Sequence, residues 1–318
     1  MVDKIRHIKT DIDDFATSLG HLDQDVKQLS GKTFNFSSDL VILPKLSLSK
    51  IEIGRSAMFH GACNPNYVSF TIPVDRKPIR VNGITVYSTN LYIMPPTEEI
   101  IALFEYGLIG YHFAIDMEYL KEFIERKTYD EFIKNAEKIR SGKVIIKDLE
   151  LIKDDIIKVI NFTVSQHKYL SGVVIEDIQD RISNSIRLFF ENSHRTPEIN
   201  ISYNKRRAIV IRALDFIKQS DSVYASIPEI AKYCFCSVRT LEYAFKKVLS
   251  LTPKQYLISR RFNMINRDLI LNENISIGEI VEKYGIVNKG RFSREYFDFY
   301  GEYPKDTRKK KNIISGLF

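Results

Sequence analysis

A chain of 318 residues with 44% hydrophobic and 27% charged residues is long enough for two domains and too apolar to be disordered. The absence of any run of about eighteen uncharged apolar residues excludes a membrane-spanning helix. The three cysteines, Cys63, Cys234 and Cys236, exclude a disulfide framework and point to a reducing, cytoplasmic compartment.

The net charge of +7 is uneven. From Tyr203 onward 22 Lys and Arg face 12 Asp and Glu, whereas the residues before it are slightly acidic. That asymmetry is the pattern of a tethered nucleic-acid binder. The segment Met1 to Asp14 is charged with both signs and has no apolar stretch of the kind an export signal needs.

In chain order, residues 1–30 read as polar and helical or irregular. From Thr33 to Ile115 short runs rich in Val, Ile, Tyr, Phe and Leu follow one another: Leu40–Leu43, Leu46–Ile53, Tyr67–Val74, Thr85–Tyr87 and Leu108–Ile115. Gly, Pro and Asn separate them, which predicts strands of a small barrel or sandwich. Asn82-Gly83 supplies the positive φ angles of a tight hairpin turn.

After Asp116 the period changes. Asp116 caps a predicted helix to about Glu125, and Thr128 another to about Arg140. Leu149–Val164 and Glu176–Asn192 place Ile152, Ile156, Val159, Ile160 and Ile178, Ile182, Ile186, Phe189 at helical spacing. These helices either pack within the chain or form a dimer surface. Ser193–Asn204, with Pro197, reads as a linker. The expected division is a β-rich sensory domain over 1–125, a helical dimerisation region over 126–193, a linker over 194–204 and a basic all-α domain over 205–318.

The basic segment contains a repeat. Ser226-Ile227-Pro228-Glu229-Ile230-Ala231 matches Ser276-Ile277-Gly278-Glu279-Ile280-Val281 at an offset of fifty. Leu241, Phe245, Val248 and Pro253 then match Phe292, Tyr296, Phe299 and Pro304 at fifty-one. The slip of one residue falls in the turn between the two parts of each copy. Each copy reads as helix, turn, helix: Ile227–Tyr233 with Val238–Leu249, and Ile277–Lys283 with Lys289–Phe299, Gly285 making the second turn. Pro253–Leu271 reads as a connecting helix of roughly 27 Å at about 1.5 Å per residue. That length suits two recognition helices about one DNA turn, roughly 34 Å, apart.

At these residues the chain resembles the AraC/XylS family of transcription activators. Thr252-Pro253-Lys254-Gln255-Tyr256-Leu257 with Arg261-Phe262 is similar to that family's connecting helix. Gly285-Ile286 followed by Arg291-Phe292-Ser293-Arg294 is similar to its second-motif signature, and Phe297 to Pro304 to its closing segment. Ile286 stands where an aromatic is usual and Arg291 where Tyr is frequent. The resemblance covers about a third of the chain. It implies an α+β protein: a cupin-like barrel or sandwich with following helices, then the two helix-turn-helix motifs.

The outward positions of the two recognition helices are the expected base contacts: Arg239, Thr240, Glu242 and Tyr243 in the first, Lys289, Gly290, Arg291 and Arg294 in the second. Arginine can donate two hydrogen bonds to guanine, and glutamate can accept one from cytosine. The resemblance also puts Arg239, Glu242 and Tyr243 at base-reading positions. Lys246, Lys247, Arg260 and Lys305 are expected on phosphates, which position without specifying. The expected partners are double-stranded promoter or operator DNA, RNA polymerase, a small-molecule effector or protein partner, and a second copy of the chain in a homodimer. No membrane partner, cofactor, metal or catalytic residue is expected.

The resemblance places Cys234 and Cys236 at buried turn positions. No Cys/His set has zinc spacing. Phe59, Phe70, Tyr87 and Phe113 are compatible with an apolar pocket in the β-rich region, although aromatics on strands are more often plain core, and His60 and His112 are the residues there that metal chemistry would call on. Two other readings stay open. One is an enzyme fused to the DNA-binding domain, either an alkyl-transfer repair protein on Cys63 or a barrel oxygenase on His60 and His112. The other is an architectural DNA binder without sequence preference.

Overall fold

The computed structural model describes residues 4–10, 22–29, 36–54, 57–63, 66–75, 77–81, 84–86, 92–94, 99–130, 143–146, 149–196, 201–219, 225–272 and 274–314. The chain separates into two compact units, one spanning most of residues 1–200 and the other residues 201–318 with the short segments 27–34 and 56–58.

The first unit is β-rich. Among the described residues, eleven strands precede its helices: β1 (Lys4–Thr10), β2 (Leu22–Gln28), β3 (Phe36–Ile42), β4 (Leu46–Ile53), β5 (Ala57–Cys63), β6 (Tyr67–Pro73), β7 (Ile79–Val81), β8 (Ile84–Val86), β9 (Tyr92–Met94), β10 (Glu99–Phe104) and β11 (Leu108–Asp116). They form a six-stranded sheet in the order β1-β3-β4-β11-β6-β9 and a five-stranded sheet in the order β2-β5-β10-β7-β8. Val81 lies opposite Ile84 in the β7–β8 pair, the register that a two-residue Asn-Gly connection demands.

Among residues 1–30, the described segments 4–10 and 22–28 are strands where a helical or irregular stretch was expected. β1 pairs antiparallel with β3 from Lys4 opposite Ile42 to Thr10 opposite Phe36. The partner lies some thirty residues away, beyond any local periodicity.

Asp116 caps α1 (Met117–Phe123), its side chain accepting from the Tyr119 N–H at 2.9 Å. Residues 126–130 are helical, so the next helix starts before Thr128, and the rest of that predicted helix lies outside the described residues. Then come β12 (Lys143–Ile146), α2 (Leu149–Gln166), α3 (Gly172–Asn192) and β13 (Ser193–Thr196). β13 pairs with β12, so the first part of the expected linker is a strand. Again a distant partner overrides a local signal.

Alternation decides what each sheet face packs against. Leu48, Phe70 and Phe113 share one face of the six-stranded sheet and form a core with Ile156, Val159, Ile160, Ile178, Ile182 and Ile186 of α2 and α3. Phe70 and Phe113 stack at 4.7 Å between centroids. They are therefore core under the helices rather than pocket lining. The opposite face carries Ser38, Ser49, Ser69, Thr71 and His112 together with Leu40, Ile51, Ile53 and Ala114, all buried, so it is a mixed face with a polar cluster around His112. Tyr87 lies outside the described residues.

The second unit is helical: α4 (Ile201–Gln219), α5 (Ile227–Tyr233), α6 (Val238–Leu249), α7 (Pro253–Leu271), α8 (Ile277–Lys283), α9 (Lys289–Tyr300) and α10 (Pro304–Ile314). α4 buries Val210, Ala213, Leu214 and Ile217 at helical spacing. Gln28 and Leu29 belong to this unit. Ser259 of α7 donates to the Leu29 carbonyl at 2.8 Å and Asn263 to the Gln28 carbonyl at 2.9 Å.

Candidate nucleic-acid interface

Both copies of the repeat start in the same way. Ser226 caps α5 and Ser276 caps α8, each through a capping box with the glutamate three residues on. The Ser226 N–H donates to Glu229 at 2.8 Å and the Ser276 N–H to Glu279 at 2.8 Å. These hydrogen bonds hold both carboxyls below their usual range.

Both copies also turn in the same way. After α5 the N–H groups of Phe235 and Cys236 donate to the carbonyls of Lys232 and Ala231. After α8 those of Gly285 and Ile286 donate to Glu282 and Val281. The paired bonds are a Schellman ending, with its left-handed residue at Phe235 (φ 54) and Gly285 (φ 70). Phe235 is thus the counterpart of Gly285 and Cys236 that of Ile286. The extra residue of the second copy is Val287, which is 92% exposed.

Ser237 then caps α6 and Asn288 caps α9, accepting from the N–H groups of Thr240 and Arg291. Leu241, Ala244, Phe245 and Val248 face inward on α6, and Phe292, Tyr296 and Tyr300 on α9. α7 belongs to both cores. Its Tyr256 packs edge-on to Phe245 at 6.0 Å, and its Phe262 packs against Phe292 at 5.9 Å and Phe299 at 5.2 Å. Thr252 and Gln255 form a third capping box at its start. A capped helix of nineteen residues, anchored near its start and at its middle, ties one recognition helix to the other.

The outward positions are accessible. Arg239, Thr240, Glu242, Tyr243, Lys246 and Lys247 are exposed on α6, and Lys289, Gly290, Arg291 and Arg294 on α9. Several already have intramolecular partners. The Thr240 hydroxyl lies 2.8 Å from the Ser237 hydroxyl. The Lys247 ammonium sits over the Tyr243 ring, and so does the Arg206 guanidinium, 5.0 Å from its centroid. Lys289 pairs with Glu282 at 2.6 Å, and Arg291 with Glu295 at 2.7 Å. A β-carbon added at Gly290 would meet only Asn288, at 3.7 Å, so close backbone approach there is not forced by crowding. Arg260 is half-buried on α7, and Lys305 is exposed on α10 beside the Tyr303 ring.

A helix-turn-helix domain model matches residues 230–310. The XylDLEGF operon transcriptional activator 1 of Pseudomonas putida is 31% identical over 104 residues, 32% of this chain and 31% of that protein. The probable thc operon regulatory protein of Rhodococcus erythropolis is 29% identical over 100 residues, 31% of this chain and 30% of that protein. The second unit carries an AraC/XylS-type helix-turn-helix domain.

The match spans about a third of these curated relatives' length. Among solved structures, the AraC-like transcriptional activator CuxR is similar over 81% of this chain and 93% of its own at 9% identity (TM-score 0.39). ToxT from Vibrio cholerae is similar over 91% and 98% at 11% identity (TM-score 0.32). An RmlC-like cupin from Shewanella frigidimarina is similar over 29% and 83% at 12% identity (TM-score 0.22).

Within the AraC/XylS-type domain, Cys234 is buried, its thiol 3.6 Å from the Ile209 carbonyl, while Cys236 is only half-buried, a correction to the expectation that both are buried. Burial pushes the Cys234 thiol up to about 11, with the neighbouring Cys236 adding to the rise, so it is protonated at neutral pH. Arg206, over the Tyr243 ring, is a residue of this surface that the sequence did not reveal. It comes from α4, whose start reads as linker, and nothing local pairs it with Tyr243. In the first unit, the His112 Nδ1 lies 3.1 Å from the Thr71 hydroxyl. Among the described residues, no three His, Cys, Asp or Glu side chains stand close enough together to hold a metal. No described helix is long and apolar enough to cross a membrane.

Proposed function

We propose that this protein is a sequence-specific DNA-binding transcription regulator, acting as an activator whose first unit binds an effector or protein partner. One observation carries the reading. Two capped helix-turn-helix motifs of the same construction share a single long helix, and each leaves the outer face of its second helix exposed and charged. A first helix bracing a second in this way is how a recognition helix is presented to the major groove.

Arg239, Thr240, Glu242 and Tyr243 are the proposed base contacts of the first motif, and Lys289, Gly290, Arg291 and Arg294 those of the second. Lys246, Lys247, Arg260 and Lys305 are the proposed phosphate contacts. The similarity to operon activators and regulators supports activation; contact with RNA polymerase in the cytoplasm is part of the proposal. Leu151 and Phe162 on α2, with Val173 and Leu188 on α3, are exposed apolar residues, and they support a homodimer through these helices.

Sequencing the genomic DNA bound by the full chain tests the proposal. A shared motif upstream of a limited set of genes is the expected result. Uniform recovery of unrelated sequence would replace it with an architectural binder.

A further inference from the structure

The AraC/XylS-type domain contains a cleft of about 700 Å³ bounded by three elements: the start of α5, the linker helix α7 and the second recognition helix α9. Its rim carries Lys254 and Arg261 from α7 and Arg291, Glu295 and Asp298 from α9. Glu295 is already paired with Arg291, so Lys254 and Arg261 outweigh the remaining carboxylate of Asp298. The floor is apolar, with Leu257, Phe262 and Phe299, which strengthens any charge pairing made there.

Arg261 lines this cleft, and its Nε–H is buried without a hydrogen-bond partner, as that of Arg308 on α10 also is. Arg261 is also the ninth residue of the nineteen in α7, next to the midpoint of the helix that spaces the two recognition helices. If those helices occupy successive major grooves on one face of B-DNA, the midpoint faces the minor groove between them and the phosphates that border it.

We infer that this cleft receives the DNA phosphate backbone between the two grooves, with Arg261 as its central contact and Lys254 beside it. The inference rests on the DNA-binding reading above and adds a third contact region to it. A phosphate oxygen is the ligand that the planar, always charged guanidinium lining this cleft is suited to. The contact is sequence-independent, so it sets affinity and register rather than base choice.

The test uses the full chain and two duplexes, one recovered by the genomic selection and one unrelated, with binding read by fluorescence anisotropy across a salt series. Arg261→Gln should weaken both duplexes about tenfold and reduce the salt slope by about one, with Lys218→Gln on α4 as the unchanged control. Neutral methylphosphonate linkages placed between the two protected grooves should weaken the wild-type protein and add little to the loss in Arg261→Gln. An unchanged salt slope in a folded Arg261→Gln, or an equal methylphosphonate penalty in both proteins, overturns the inference and leaves the transcription-regulator reading intact. Should Arg261→Gln not fold, the wild-type methylphosphonate scan decides alone, and no loss at those linkages overturns the inference. Failure of the wild-type chain to bind either duplex would instead sink the reading beneath it.

Discussion

At the turn of the first motif, Phe235 holds a left-handed backbone (φ 54) with its ring 92% exposed, where the second copy has Gly285. A side chain in that region costs roughly 1–2 kcal/mol. Glycine costs roughly 0.5–1 kcal/mol in lost chain entropy. Phe235→Gly should therefore raise stability by up to about 1 kcal/mol, seen as a higher midpoint of thermal unfolding of the full chain. An unchanged or lower midpoint would mean that the ring has a stabilising contact that its exposure does not show. At the reading face, Arg239→Ala should cost about 1–3 kcal/mol at one base position of the selected site. Lys247→Ala should weaken all sequences alike and flatten the salt dependence. Binding measured over a panel of single-base variants separates them, and a flat profile for Arg239→Ala removes it from the base contacts.

The two capping boxes act on whole elements. Glu229 and Glu279 are held below their usual pKa of 4.5 by hydrogen bonds to Ser226 and Ser276. Because the folded values are depressed, the contribution to stability is fully present above 4.5 and is lost as pH falls through the folded values. Chemical denaturation between about pH 6 and 3 should show a loss of stability that is shallower in the double variant Glu229→Gln, Glu279→Gln, which removes the titrating carboxyls. Identical pH dependence would show that the boxes are not what titrates.

These same caps made the second unit legible. Ser226, Thr252 and Ser276 each stand three residues before a Glu or Gln, and α5 to α8 begin and end where those signals and Gly285 place them. α4 was missed, although Val210, Ala213, Leu214 and Ile217 carry its period, because it follows a segment that reads as linker. α10 was missed because its Lys- and Arg-rich run has no apolar stripe in the sequence. In the first unit, β4 is an alternating run and was legible end to end, whereas β1 and β13 exist through partners at β3 and β12 that no local window contains.

For the whole molecule, what the sequence showed best was repetition. Duplicated residues located both motifs, and the structure assigns the one-residue slip to Val287. The polar cluster on the second face of the six-stranded sheet was not legible, because Ser38, Ser49, Ser69, Thr71 and His112 come together only through the register of β3, β4, β11 and β6. The same applies to the Arg261 cleft, which needs α5, α7 and α9 in place.

The central claim is that one rigid helix holds two recognition helices at the spacing of successive major grooves. Hydroxyl-radical footprinting of the full chain on its selected site tests it most directly. Two protected patches centred about 10–10.5 base pairs apart on one face of the duplex are expected, both lost when about five base pairs are inserted between them. A single patch, or two patches whose protection survives that insertion, would contradict it.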